Sequence, residues 1–142
     1  MSGADAPPPP PEGFQRSSNR GAFTAHNGPF FHRPGAPGAE QAFFVLPRHC
    51  NGLGLIHGGM LSAFLDGLLA SAVARGTRST PITVHLSVDF LDMGRAGEWA
   101  LGEARVTRAS RDIAFAEGRV HLAGRDLARA ARVFKLMRRR RG

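Results

Sequence analysis

The segment from Gly58 to Gly76 is the one long stretch of this chain with helical apolar spacing. The strand-like segments after it carry faces of very small residues, and the pair of features limits the fold to a sheet closing on a single helix. Leu61, Phe64, Leu65, Leu68, Leu69 and Ala72 fall at i, i+3, i+4, i+7, i+8 and i+11, which is one face of a helix. Further on, Ala100, Gly102, Ala104 and Val106 alternate along one segment, and Ala114, Ala116, Gly118, Val120 and Leu122 along the next. Faces so poor in bulk let a large element approach closely, and the helix from Gly58 is the strongly apolar partner available.

The strands are legible from period two and from their punctuation. "EQAFFVLPRHC" is an apolar run between charged and Pro/Gly segments, and Phe30 and Phe31, stopped by Pro34, make a short strand before it. After Pro81, alternation puts Ile82, Val84, Leu86, Val88 and Phe90 on one face and Thr83, His85, Ser87 and Asp89 on the other. "WALGEARVTRA", "IAFAEGRVHLA" and "LARAARVFKLM" follow, joined tightly at "SRD" and "GRD". Between Glu12 and Thr24, Phe14 and Phe23 are candidate anchors of a short helix. The expected class is α+β, an antiparallel curved sheet of five to six strands wrapped around one central helix.

At 142 residues and 42% hydrophobic composition the chain builds one domain. Residues 1–11, "MSGADAPPPPP", lack large apolar groups and read as a disordered Pro-rich segment. The domain then runs from 12 to 137, and 138–142 form a basic tail. The net charge is +8, and Arg138 to Arg141 contribute a run that is either simply solvated or holds an anionic partner. A single cysteine, Cys50, excludes an intrachain disulfide, and its expected state is a half-buried thiol beside a strand end. The six histidines show no metal-site spacing, so no metal is expected. The helix is interrupted by Asp66 and glycines, which argues against a membrane span, and without a signal-like start the expected location is cytoplasmic.

Chemistry concentrates in "CNGLGLIHGGMLSAFLDG", residues 50–67. Gly58 and Gly59 open the helix, where free amides and the positive end of the dipole can hold a developing oxyanion; alternatively the glycines only permit tight packing. Asp66 either sits at the solvent edge of an apolar face or is partly desolvated and poised as base or nucleophile. It lies seven residues beyond Gly59, about 10 Å along the helix, farther than an Asp side chain reaches. If both groups act on one substrate, Asp66 therefore comes from a second subunit and the active unit is at least a two-fold dimer.

Asn51, His57, Gly58, Gly59 and Asp66 in the pattern N-x5-HGG-x6-D, followed by "TVHLSVDFL" and a turn closing with Gly97, resemble the hotdog-fold acyl-CoA thioesterases, in the PaaI-like (phenylacetate-pathway) branch. The resemblance covers roughly residues 40–137. It implies a hotdog fold, a homodimer or dimer of dimers, and hydrolysis of a thioester to a carboxylic acid and free coenzyme A. No bound cofactor is implied, coenzyme A being part of the substrate.

Position by position, the resemblance gives the Gly58 amide the oxyanion hole, with Gly59 beside the substrate, and Asp66 of the neighbouring subunit the role of general base or nucleophile. Asn51 and His57 would position the thioester or water, and Thr83 would orient the water. Ser110 and Arg111 would lie near the coenzyme A, with Arg111 meeting a phosphate. Each has a purely structural alternative: Asn51 bonding a turn, His57 satisfied at the helix entry, Thr83 a plain strand residue, Arg111 a surface charge.

Two other functions are weighed against the thioesterase. One is a hotdog hydratase acting on enoyl or hydroxyacyl thioesters, whose usual motif differs. The other is a non-catalytic module binding acyl-CoA or nucleic acid; the lack of tyrosine and of interleaved exposed aromatics argues against nucleic acid. Leu61, Phe64, Leu68 and the Phe30-Phe31 segment are either acyl-pocket walls or plain core.

Overall fold

The computed structural model describes residues 6–18 and 21–138. Its elements in chain order are β1 (Gln15–Arg16), α1 (Ala22–Asn27), β2 (Phe31–His32), β3 (Ala39–Phe44), a 3-10 turn (Pro47–His49), α2 (Gly58–Thr77), β4 (Ser79–Phe90), β5 (Trp99–Ala109), β6 (Ile113–Leu122) and β7 (Arg125–Arg138). The strands form one antiparallel sheet in the order β1-β2-β3-β5-β6-β7-β4. Five strands are long. The short β1 occupies the region where the sequence predicts a helix anchored by Phe14 and Phe23; α1 begins only at Ala22, and Phe23 is exposed. Arg138 closes β7, whereas the remaining tail arginines and residues 1–5 lie outside the described residues.

The small faces of β5 and β6 work as the sequence predicts. Ala100, Gly102 and Ala104, with Ala114, Ala116 and Val120, are covered by α2, whose Leu65, Leu68, Leu69 and Val73 are fully buried. Gly102 is the tightest point. A Cβ there would stand 2.6 Å from Phe64 Cε1 and 2.8 Å from Leu68 Cδ2, closer than carbon atoms pack. β5 is held between β3 and β6, so it cannot retreat. Gly102→Ala should therefore cost about 1–3 kcal/mol through overpacking, read as a lower midpoint in urea with unchanged slope.

One sequence expectation is corrected in β4. Alternation puts Ile82 and Val84 on the face of Leu86, Val88 and Phe90, with Thr83 opposite. A β-bulge between Thr83 and His85 reverses the phase: Thr83 pairs with Phe134, while Leu86 pairs with Arg132 and Val88 with Ala130. Residues opposite one another in an antiparallel pair share a face, and an extra residue shifts everything beyond it. Phe134 is buried in the core, so Thr83 stands on the helix-facing side and Ile82, opposite Lys135, on the outer side. Period-two reading cannot anticipate an inserted residue.

β4 ends the sheet. Val84, Phe90, Leu91 and Met93 are exposed along this edge, 65% in the case of Val84. A 12-residue apolar edge strand with one side unpaired is a ready template for another strand.

Candidate active site

The α2 start is built by the loop from Cys50 to His57. Asn51 Oδ1 accepts from the amides of Leu53 (2.9 Å) and Leu55 (3.2 Å), an arrangement that shapes the turn. Its Nδ2 makes no hydrogen bond among the described residues. Cys50 and Ile56 bridge the base of the loop, and burial pushes the Cys50 thiol up from its ordinary pKa, as expected of an inert thiol.

His57 caps the helix. Its Nδ1 accepts from the Gly59 amide at 2.8 Å, which places the ring proton on Nε2. A Cβ on Gly59 would stand 2.9 Å from that nitrogen, so the cap itself requires glycine there. The Met60 and Leu61 amides both donate to the His57 carbonyl. The Gly58 amide is thus the one donor of the first turn without a partner among the described residues. The ring of Phe90, at the far end of β4, lies against Gly58.

Beneath this loop, buried His49 accepts from the Leu46 amide at its Nδ1 and meets the Asn27 carbonyl at its Nε2, tying α1 down. Burial holds its pKa below the ordinary histidine value. A half-open cleft of about 280 Å³ lies between α1 and the α2 start, with Asn27, His49, Cys50, His57, Gly59 and Met60 among its walls. The residues expected to line an acyl pocket do not line it. Leu61, Phe64 and Leu68 are core, with Phe64 packed on Phe43 and Phe30 at centroid distances of 4.9 and 6.0 Å.

Asp66 lies two turns along α2 with its side chain 43% exposed, at the boundary between core and surface. Its Oδ1 is 2.5 Å from Nη1 of Arg132, a residue that the sequence reading missed. The signal was present: in "LARAARVFKLM", Ala128, Ala130, Arg132, Phe134 and Leu136 occupy alternate positions, so an arginine stands in an otherwise inward apolar row. Arg132 is buried, and its guanidinium lies 4.0 Å over the Phe134 ring. Thr83 faces Phe134 across the strand pair, and Phe134 carries the Arg132 guanidinium that meets Asp66, so Thr83 and Asp66 flank the same Arg132–Phe134 pair.

Ser110 and Arg111 are elsewhere. They form the β5-β6 hairpin, where the Ser110 amide donates to the Ile113 carbonyl at 2.8 Å. This hairpin sits by the far end of α2, where Val106 is 3.3 Å from a Cβ built on Gly76. Twenty helical residues, about 30 Å, separate that end from Gly58 of the same chain. The structure therefore brings together Asn51, His57, Gly58 and Gly59 at one end, Asp66 and Thr83 midway, and Ser110 and Arg111 at the other.

A larger groove of about 840 Å³ lies across the outer sheet surface and contains none of these residues. Two of the three arginines there are paired, Arg105 with Glu117 at 2.5 Å and Arg119 with Glu103 at 2.5 Å and Asp126 at 2.6 Å, and Arg129 shares the groove with the further carboxylates Glu40 and Asp89. Such neutralised rows are a poor electrostatic surface for a polyanion. Among the described residues there is no cluster of three or more His, Cys, Asp or Glu that could hold a metal, and no helix long and apolar enough to cross a membrane.

Comparison with known proteins accords with this architecture. The model of the thioesterase superfamily matches residues 53–129, from the loop before α2 into β7. A Pseudomonas aeruginosa protein named "Putative esterase PA0474" is 37% identical over 129 residues, 89% of this chain and 96% of that protein. Among solved structures, a variant of the phenylacetic acid degradation protein PaaI from Thermus thermophilus superposes with a TM-score of 0.72 at 26% identity, covering 80% of this chain and 96% of that one. A hypothetical thioesterase protein from Streptococcus pneumoniae, solved with coenzyme A, has the same fold, with a TM-score of 0.73 at 17% identity and coverage of 79% and 91%. With more than half its length matching the family model, the chain belongs to the thioesterase superfamily and is a hotdog-fold thioester hydrolase of the PaaI type.

Proposed function

We propose that this protein is an acyl-CoA thioesterase that works as a two-fold dimer, using the Gly58 amide of one subunit and Asp66 of the other. The reaction yields a carboxylic acid and free coenzyme A, which enters as part of the substrate, with no metal or further cofactor. The observation that carries the reading is the Gly58 amide, without a partner among the described residues, at the positive end of a 20-residue helix whose next residues, Gly59 and Met60, line a cleft. A thioester carbonyl oxygen held there gains its strongest hydrogen bond as charge develops on it. The thiolate is a good leaving group, so the remaining demand is a water and a base to activate it, or a carboxylate that attacks directly.

Dimerisation through the β4 edge supplies that carboxylate. The Phe90 end of β4 lies by Gly58, and the Ser79 end follows the C-terminus of α2. Antiparallel pairing of two β4 edges about a two-fold axis sets the Ser79 to Thr83 end of one copy beside the Phe90 end of the other. Asp66 and Thr83 of one subunit thereby approach Gly58 of its partner, and Thr83 is available to orient water. In the same arrangement Ser110 and Arg111 reach a bound coenzyme A only from another subunit, while His57 Nε2 at the cleft wall and Asn51 Nδ2 in the adjoining loop remain available as donors.

The test is a hydrolysis screen across aryl, short, medium and long acyl-CoAs, following thiol release, with the Asp66→Asn variant as blank. Turnover of at least one class well above the blank is expected. Failure of every class, or hydration of a crotonyl thioester in place of hydrolysis, overturns the reading. Val84→Asp should convert the dimer to monomer, by light scattering, and remove hydrolysis in proportion to the dimer lost.

A further inference from the structure

Arg132 is hard to explain as a stabilising residue. It sits at an inward position of β7, 5% exposed, with Ala116 beside it on β6 and Leu86 beside it on β4. Neither neighbour's side chain offers an acceptor. Its Nε is sealed from solvent and has no partner among the described residues, and burial lowers its pKa from the ordinary arginine value while Asp66 opposes that shift. Buried ion pairs commonly contribute little or nothing net relative to an apolar pair, because desolvation of the guanidinium consumes the Coulombic gain. A buried polar atom left unsatisfied therefore asks for another reason.

The contacts of Nη1 supply one. It forms an ion pair with Asp66 Oδ1 at 2.5 Å and donates to the Asp66 backbone carbonyl at 2.6 Å, engaging side chain and main chain of one residue. The Phe134 ring fixes the plane of the guanidinium from the other side. No other side chain among the described residues bonds the Asp66 carboxylate.

We infer that Arg132 is a positioning residue for thioester hydrolysis, holding Asp66 in one rotamer with Oδ1 tied and Oδ2 presented outward to the neighbouring subunit's substrate. This rests on the catalytic reading of Asp66 above. Oriented groups gain rate because the reacting atoms are already placed, and a displacement of about 1 Å can cost about 100-fold. A single anchored oxygen also leaves the second one unencumbered for water or for the thioester carbon.

The experiment compares Arg132→Met, Arg132→Lys and the double variant Asp66→Asn/Arg132→Met with the wild type in steady-state hydrolysis and thermal melting. For Arg132→Met, kcat should fall about 100-fold while KM changes by less than about threefold, with a melting temperature equal to or above that of the wild type. Arg132→Lys should recover at least about tenfold of the loss, since an ammonium can still donate to Oδ1. The double variant should be no slower than Asp66→Asn alone, because Arg132 acts through Asp66.

A kcat for Arg132→Met within about twofold of wild type overturns the inference. So does a double variant in which the two losses multiply, since that is the behaviour of an independent structural contribution. If Arg132→Met fails to fold, Arg132→Gln takes its place, with the same fall in kcat expected and a kcat within about twofold of wild type overturning the inference. Should Asp66→Asn itself hydrolyse at the wild-type rate, the catalytic reading of Asp66 fails first, whatever the Arg132 variants do.

Discussion

Asp66→Asn should lower kcat for thioester hydrolysis by about 10³-fold, the range spanned by loss of a general base or attacking carboxylate. Asn preserves the volume and keeps an oxygen that can accept from Arg132 Nη1, so the geometry of the site survives while its basicity and nucleophilicity are gone. The substitution also leaves the buried guanidinium without its counter-charge, so a lower melting temperature is expected. Asp66→Asn/Arg132→Met removes that charge and should melt above Asp66→Asn while remaining as inactive. Substrate binding should change little, because Asp66 is assigned no contact with coenzyme A. Near wild-type turnover in either variant would contradict the assignment.

Gly58→Pro should cost about 10²–10³-fold in kcat with the helix retained. Proline is well tolerated as the first residue of a helix, where its missing N–H has no intrahelical acceptor, and His57 already has the extended backbone, φ −64° and ψ 134°, that precedes proline comfortably. A Cβ at Gly58 meets the Phe90 ring at 3.5 Å, ordinary contact. The substitution therefore deletes one amide donor and little else, which is rarely possible for a backbone group.

Together the two variants test the shared site. Dimers reassembled from equal amounts of Gly58→Pro and Asp66→Asn chains contain, in each heterodimer, one site with both substitutions and one with neither. About a quarter of wild-type activity should return for random reassociation. If Gly58 and Asp66 served the same chain's site, mixing two inactive proteins would return nothing.

Much of this protein was legible in its sequence because its signals are local. The spacing from Leu61 to Ala72 specifies the buried helix, and the alternation of Ala100, Gly102 and Ala104 specifies the face it packs on, since each depends only on the period of one element. The N-x5-HGG-x6-D pattern located the helix start and the carboxylate, and the rise per residue alone put them too far apart to serve one chain. Gly59 shows the limit of spacing: the sequence groups its amide with that of Gly58 as free, whereas in the folded chain it donates to His57 Nδ1 as a cap, a choice set by a side-chain rotamer that spacing does not encode.

What only the tertiary structure decided are relations between elements distant in sequence. The bulge in β4 moved Thr83 to the face of Phe134, and β4 was left as an unpaired apolar edge. Arg132 came to lie against Asp66, 66 residues away. Periodicity assigns a residue to a face, whereas the partner it meets there depends on strand order, register and sheet curvature, all set by packing the whole core at once. The sequence by itself determined one helix, the strands around it and a divided pair of chemical groups; the folded chain determined which side chains stand behind them.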